Sequence, residues 1–242
     1  MRSLPERHFP APSQVTSAAI FQVRDGALQV LAWRRAKQPE AGRWALPGGY
    51  LSPDEDLEHS IRRHLATKVD LREVAHMEQL GTWSDPTRHP GAWEVMTAYM
   101  GIVASDLDPT LPADTSWHPV EEHPRMAFDH DDIVLTARER LRAKLSYTNI
   151  GFALSPPTFT ISELRDIYRA ALGHPVSATN LQRVLVRRGE LMPTGERRPS
   201  GAGGGRPAAE FRFRERELEG TDPFAVLRPP RHRSASGNIE KG

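Results

Sequence analysis

Apolar and β-branched residues crowd two early stretches, Val15 to Val23 and Leu28 to Arg34. The polar Arg24-Asp25-Gly26-Ala27 between them holds the Asp-Gly pair favoured in tight turns, which predicts a hairpin. A second β-rich pair, Met77 to Trp83 and Glu94 to Ile102, is joined by a loop carrying Pro86, Pro90 and Gly91. One helical stretch lies between the pairs. Another follows from about Asp131 to Ser146, with Ile133, Leu135, Leu141 and Leu145 on its apolar side. Ser155-Pro156-Pro157-Thr158 then interrupts the pattern, because paired prolines resist both helix and ladder. Past it, Leu164, Ile167, Tyr168 and Leu172 recur at helical spacing over Ile161 to Leu172, with Gly173 placed as a C-cap. A second short helix starts after the capping Ser177 and turns Leu181, Val184 and Leu185 inward. Leu191-Met192-Pro193 and the alternating Glu210 to Arg214 complete a hairpin across a glycine-rich loop.

The elements predict an α+β or layered α/β first domain, of which an α/β/α sandwich is one form, and then the helix, turn, helix, hairpin order of a winged helix-turn-helix. The expected division is a flexible arm over 1–13, a first domain over 14–153, a second over 154–228 and a disordered tail over 229–242. The arm holds Pro5, Pro10 and Pro12, and the tail mixes Pro, Arg, Ser and Gly.

Charge sharpens that division. The whole chain is nearly neutral at +1, but residues 1–150 hold 17 basic and 21 acidic side chains, whereas 151–242 hold 15 and 10. The second part therefore has the balance of a polyanion binder and the first does not. Cysteine is absent, which excludes a disulfide framework, a zinc ribbon and a thiol nucleophile. No apolar run approaches the roughly 20 residues of a membrane helix, so the expectation is a cytoplasmic protein with no membrane partner.

Trp44 to Leu51, rich in glycine at Gly48 and Gly49, leads into Ser52-Pro53-Asp54-Glu55. Ser52 as cap, Pro53 at the first helical position and Glu55 closing a capping box predict a helix starting there. Gly49, Glu55 six residues on and Arg63 eight further resemble the Nudix box, G-x5-E-x7-R-E-U-x-E-E-x-G-U with U apolar. In that family the later glutamates share a helical face, hold divalent metal and so activate water on a diphosphate. Here His64 stands for the first of them and Thr67 and Lys68 for the pair, while Asp70 replaces the last glycine. A lysine ammonium repels the cation that a carboxylate would bind, so the sequence predicts a Nudix fold without hydrolase chemistry, catalytic residues, metal or cofactor. Glu55 and Arg63 read most simply as a cap and a loop brace. Glu58, about one and a half turns before His64, supplies too little to rescue a metal site. His118, His123 and His130 with Asp129, Asp131 and Asp132 contain metal-ligating types, although the aspartates more simply charge the start of a helix.

A Nudix fold stripped of its metal carboxylates can keep the pocket for the nucleotide and act as a sensor. Arg34 and Arg35 are candidates for phosphate, Trp33 or Trp44 for stacking on adenine, and Tyr50 and Glu94 for further contacts. In the basic half, Thr179, Asn180, Gln182, Arg183, Val186 and Arg187 face outward on the second helix. Arginine reads guanine and Asn or Gln reads adenine in the major groove, so this is a candidate recognition surface. Arg197, Arg198 and Arg206 fall in the wing and are candidates for phosphate or minor-groove contact. Nine arginines against four glutamates lie between Arg183 and Arg216.

Phe159 to Arg165, Asn180-Leu181-Gln182-Arg183, Met192 to Glu196 and Gly205 to Ala208, placed after the degenerate box, resemble the NrtR family of Nudix-related regulators of NAD metabolism. The resemblance spans about Gln14 to Arg214. It implies a bacterial homodimer that represses NAD biosynthesis or salvage genes from a palindromic operator on double-stranded DNA. It also implies that ADP-ribose, or a related NAD-derived nucleotide, binds the Nudix domain and releases that operator. The alternative is a diphosphohydrolase acting on ADP-ribose or an analogue, with the winged helix as an accessory module.

Overall fold

A computed structural model describes residues 11–199 and 207–221. The first hairpin forms as the sequence predicts: β1 (Ser13–Arg24) and β2 (Ala27–Arg34) pair antiparallel, with Phe21 opposite Val30. Asp25 and Gly26 both take positive φ, 50° and 76°, as a two-residue primed turn demands. The chain continues through β3 (Trp44–Ala45), β4 (Gly48–Tyr50), α1 (Leu57–Lys68), β5 (His76–Trp83), β6 (Glu94–Ile102), β7 (Thr115–Pro119) and α2 (His130–Tyr147). The strands build one sheet in the order β3-β2-β1-β6-β5, with β4 also on β1 and β7 on β2. Only the β1 and β6 pair runs parallel.

β1 explains the layering. Thr16 to Val23 are all buried, so both faces of the central strand are covered. Ala18 and Ile20 pack with Ile61 and Leu65 of α1. The alternate residues, Ala19, Phe21 and Val23, share a cluster with Ile133, Val134, Ala137 and Leu141 of α2. The two-residue period of the strand thus sends successive side chains into two cores, one per helix layer.

Two sequence expectations need correction. The first helix begins at Leu57 with Asp56 as its cap, accepting from the His59 N–H at 2.8 Å, and not at Ser52. Glu55 does accept the Ser52 N–H at 2.8 Å, but Arg63 holds the same carboxylate, so 52–55 stays a braced loop. In α2, Leu135 is 40% exposed, while Val134 and Ala137 face the core in its place. The short β3, β4 and β7 carry no periodic signal of their own and exist because β1 and β2 offer ladder partners.

Beyond α2 come α3 (Gly151–Leu154), β8 (Phe159–Thr160), α4 (Ile161–Leu172), α5 (Ala178–Arg187), β9 (Leu191–Arg198) and β10 (Ala208–Phe213). The last three strands form a separate sheet in the order β8-β10-β9. α4 is fixed at both ends: Thr160 and Glu163 make a reciprocal capping box, and Gly173 closes it at φ 75°. The two sheets do not have separate cores. One apolar cluster runs from Phe21 and Leu141 through Ile150, Phe152 and Leu154 to Phe159, Leu164, Leu185 and Phe213. Polar clasps reinforce the seam: the Asn149 side chain donates to Glu217 O at 2.9 Å and accepts from Glu219 N at 2.7 Å, and Arg188 donates to Ser146 O at 2.6 Å. Glu190, buried beside this seam, accepts from the Thr221 hydroxyl, and burial pushes its pKa up to about 7. Among the described residues, no helix is long and apolar enough to cross a membrane.

Candidate functional site

β4, which carries Gly48 and Gly49, lies between β1 and α1 so closely that side chains are excluded. A Cβ at Gly48 would stand 2.2 Å from Thr16 O, and one at Gly49 would stand 2.5 Å from the His64 ring. α1 lies against this strand and presents Arg63, His64, Thr67 and Lys68. Arg63 donates to both oxygens of Glu55, at 2.8 and 2.5 Å, and to Tyr50 O at 3.1 Å. That guanidinium holds the Glu55 carboxyl well below the usual range. His64 is 6% exposed, its Nε2 is 3.0 Å from Tyr50 O, and burial lowers its pKa, so the ring is neutral and donates there. Thr67 turns back to Arg63 O at 2.8 Å. Lys68 reaches inward: Nζ donates to Gly48 O at 2.5 Å and lies 4.9 Å from the centre of the Trp33 ring.

Arg63, His64 and Lys68 form one wall of a cleft of about 810 Å³, which suits a small-molecule ligand the size of a nucleotide. Arg35 lines the cleft, stacked 4.6 Å over Phe128 and donating to Pro39 O at 3.0 Å. Glu94 lines it too, 6% exposed, accepting from the Tyr50 hydroxyl at 2.6 Å, with Arg88 Nη1 at 3.7 Å. That hydrogen bond is the main cause of the raised Tyr50 pKa. Arg88 in turn donates to both oxygens of Asp129, at 3.0 and 2.8 Å.

Of the effector candidates, the structure brings together Arg35, Glu94, Tyr50 and Trp33. Arg34 and Trp44 stand apart from them. Arg34 donates to Gly42 O on the far side of the strand and packs 5.8 Å from the Trp44 ring, which itself abuts His118. The alternation of β2 continues into Arg35 just beyond its end, so Trp33 and Arg35 share the cleft face and Arg34 is excluded.

Sequence reasoning missed Arg88, His89 and Phe128. The first two sit in a Pro- and Gly-bearing loop without periodicity, and Phe128 has φ 56°, a backbone state bulky residues rarely adopt. His89 packs 5.0 Å from Phe128, and its buried Nδ1 has no hydrogen-bond partner among the described residues. His118, His123 and His130 do not converge. His130 Nδ1 accepts the Leu46 N–H at 3.0 Å, Asp131 accepts the Met126 N–H and Asp129 pairs with Arg88. Among the described residues, no three metal-ligating side chains form a metal site.

A second candidate surface is α5. Ser177 caps it by accepting the Asn180 N–H, Leu181 and Leu185 face the core, and Thr179, Asn180, Arg183, Val186 and Arg187 are exposed. Gln182 is half-buried. Arg183 donates to Asn180 Oδ1 at 2.7 Å, which places the two side chains beside each other on the outer face. The wing arginines divide. Arg197 is exposed and, among the described residues, donates only to Pro207 O, whereas Arg198 is held by Glu163 at 2.8 Å, Glu210 at 2.9 Å and Thr158 O at 2.9 Å. Expected as a phosphate contact, Arg198 instead bolts α4 to the wing, because two carboxylates converge on it. Arg206 lies outside the described residues. Arg188, Arg214 and Arg216 also turn to backbone carbonyls, so part of the basic excess is structural.

Residues 13–137 match the NUDIX domain family, and residues 151–213 match the NrtR DNA-binding winged helix domain. The chain is 31% identical over 231 residues to an ADPR responsive transcriptional repressor, NtrR, from Acinetobacter baylyi, covering 93% of this chain and 90% of that protein. The structure of Shewanella oneidensis NrtR is similar with a TM-score of 0.72 at 32% identity, over 83% of this chain and 93% of that one. The same protein solved with a 27mer DNA gives a TM-score of 0.71 at 28% identity, over the same shares.

Proposed function

The chain belongs to the NrtR family, a Nudix domain joined to the NrtR winged helix, and on that premise we propose that it is a DNA-binding transcriptional repressor controlled by a nucleotide. The effector unit is assigned to residues 14–153 and the DNA-binding unit to 154–228. The observation that carries the reading is one apolar core joining a cation-lined, nucleotide-sized cleft to a capped helix with Thr179, Asn180, Arg183 and Arg187 outward. Such a helix can enter a major groove with Arg183 and Asn180 at base edges and Arg187 and Arg197 at phosphates. ADP-ribose is the effector that fits the curated relative's name, with Arg35 meeting its diphosphate. The target genes are those of NAD biosynthesis or salvage, the working form is a cytoplasmic homodimer, and the operator is palindromic.

The Nudix unit is assigned no hydrolase activity. Magnesium takes hard oxygen ligands in octahedral geometry, yet the helical face that should supply carboxylates presents a buried neutral imidazole, a hydroxyl turned to its own helix and an ammonium. Glu55 is held by Arg63 and Glu94 is held by Tyr50 and Arg88. These residues do not fit a divalent cation.

A gel shift on the chain's own promoter region, with ADP-ribose, with NAD and with neither, tests partner and effector together. The expected result is a shift that ADP-ribose reverses. Unchanged mobility at low salt rejects the repressor, and AMP released from ADP-ribose with magnesium or manganese rejects the inactive Nudix unit.

A further inference from the structure

The misfit with a divalent metal has a positive side, and it rests on the assignment of the cleft as a nucleotide site. Lys68 occupies the helix position of a box glutamate, but its ammonium does not turn out to solvent. It is drawn under β4, where Gly48 O takes one of its three protons at 2.5 Å and the Trp33 face lies 4.9 Å away. Among the described residues it makes no ion pair with a carboxylate, and neither does Arg35. Around the cleft, Arg35, Lys37, Arg63, Lys68 and Arg88 stand against Glu94 as the sole lining carboxylate among the described residues. Arg63 is spent on Glu55, and Arg88 on Asp129 and Glu94. Lys68 is therefore a half-buried cleft cation with no carboxylate partner among the described residues, whereas Arg35 stands in the field of Glu94 and Glu40 without forming an ion pair with either.

We infer that Lys68 is a built-in replacement for the divalent cation, an ammonium tethered by Gly48 O and Trp33 that neutralises a bound diphosphate, so that the effector binds without metal. An ammonium held in place needs no ligand set, and its remaining donors are free for phosphate oxygens. Burial, followed by the nearby charges of Arg35 and Arg63, lowers the Lys68 pKa, and an incoming diphosphate relieves the repulsion between these cations. The site takes the metal-free, fully ionised pyrophosphate linkage of a dinucleotide or ADP-sugar.

Titration calorimetry on the full chain tests this with two probes, ADP-ribose and inorganic pyrophosphate, each in EDTA and in magnesium. The wild type should bind ADP-ribose equally, within about twofold, in both buffers. Lys68→Gln, which keeps a donor for Gly48 O and loses the charge, should weaken binding about tenfold or more in either buffer. Lys68→Arg should restore it to within about threefold, which a loss of fold in the glutamine variant would not allow. Binding lost in EDTA, or affinity unchanged in Lys68→Gln, overturns the inference. If ADP-ribose fails to bind but pyrophosphate follows the Lys68-dependent, chelator-insensitive pattern, the effector assignment falls and the role of Lys68 stands. Failure of both probes overturns the inference.

Discussion

α1 and α5 are two short helices of similar design with opposite uses of positive charge. Each starts on a side-chain cap, Asp56 in one and Ser177 in the other, and each carries cations at helical spacing. On α1 the charges are pinned: Arg62 to Glu58, Arg63 to Glu55 and Lys68 to Gly48 O. On α5, Arg183 touches only its neighbour Asn180 among the described residues, and Arg187 is exposed without an ion pair. Pinned cations lose little freedom when a small ligand arrives, which suits a cleft that must recognise one geometry. Exposed arginines keep their rotamers and can adjust to a base edge or a phosphate, which suits a surface that first finds DNA and then reads it. Residue type alone does not separate the two uses. The presence of a nearby acceptor does.

One apolar core connects the units that carry α1 and α5, and the largest expected effect tests that connection. Phe152, 2% exposed between the two sheets, belongs to the shared core. Phe152→Ala should cost about 3–5 kcal/mol, and the protein should still unfold in one transition by calorimetry. Two separate transitions in the wild type would break the picture of a continuous core.

Next in size is the contrast between free and pinned arginines. Arg183→Ala should weaken operator binding about 10- to 100-fold in a gel shift and leave ADP-ribose binding intact. Arg198→Ala should cost DNA affinity much less and show instead as a loss of about 0.5–1 kcal/mol in thermal stability, because its partners are Glu163 and Glu210. Equal losses of DNA affinity would erase the distinction.

The two regions should also respond to pH with opposite sign. Glu190, beside the seam, is raised to about 7, so the folded state binds its proton while the unfolded chain has released it. Stability falls as pH rises from about 4.5 to about 7. His130, under the cleft, is lowered to about 4 by burial, so the unfolded chain takes up a proton first, and stability falls as pH drops from 6.5 towards 4. Urea melts should show Glu190→Gln gaining about 1–3 kcal/mol at pH 8 relative to the wild type and little at pH 4.5. A gain that is the same at both pH values would remove Glu190 as its source. The smallest effect is expected from Lys68→Glu on DNA binding, within about twofold by gel shift without effector, since α1 and α5 do not touch the same ligand. A larger loss would mean that the state of the cleft reaches α5 before any nucleotide binds.

Local chemistry was readable where a side chain acts within its own segment. The Asp25-Gly26 turn, the Ser177 cap, the Gly173 terminus and the apolar rows of α4 and α5 each depend on residues a few positions apart. The degenerate box was readable for the same reason, since Glu55, Arg63, His64, Thr67 and Lys68 keep fixed spacing along one loop and helix. What failed was any choice between partners distant in sequence. Ser52 and Asp56 are both good caps, and the Arg63 hold on Glu55 decided between them. Arg34 and Arg35 look alike as a pair, yet the pleat sends one to Gly42 and the other to Phe128. Arg197 and Arg198 look alike too, until Glu163 and Glu210 converge on one of them.

The sequence by itself determined the order of elements, the basic second half and the His64, Thr67 and Lys68 that stand at the later positions of the box, because these are properties of spacing and composition. The tertiary structure decided which cations are free, because a charge is neutralised by whatever acceptor folding brings within about 3 Å, and that acceptor lies anywhere along the chain. It also decided that the cleft and α5 share one core, since buried apolar surface minimises itself without regard to where one sequence motif ends and the next begins.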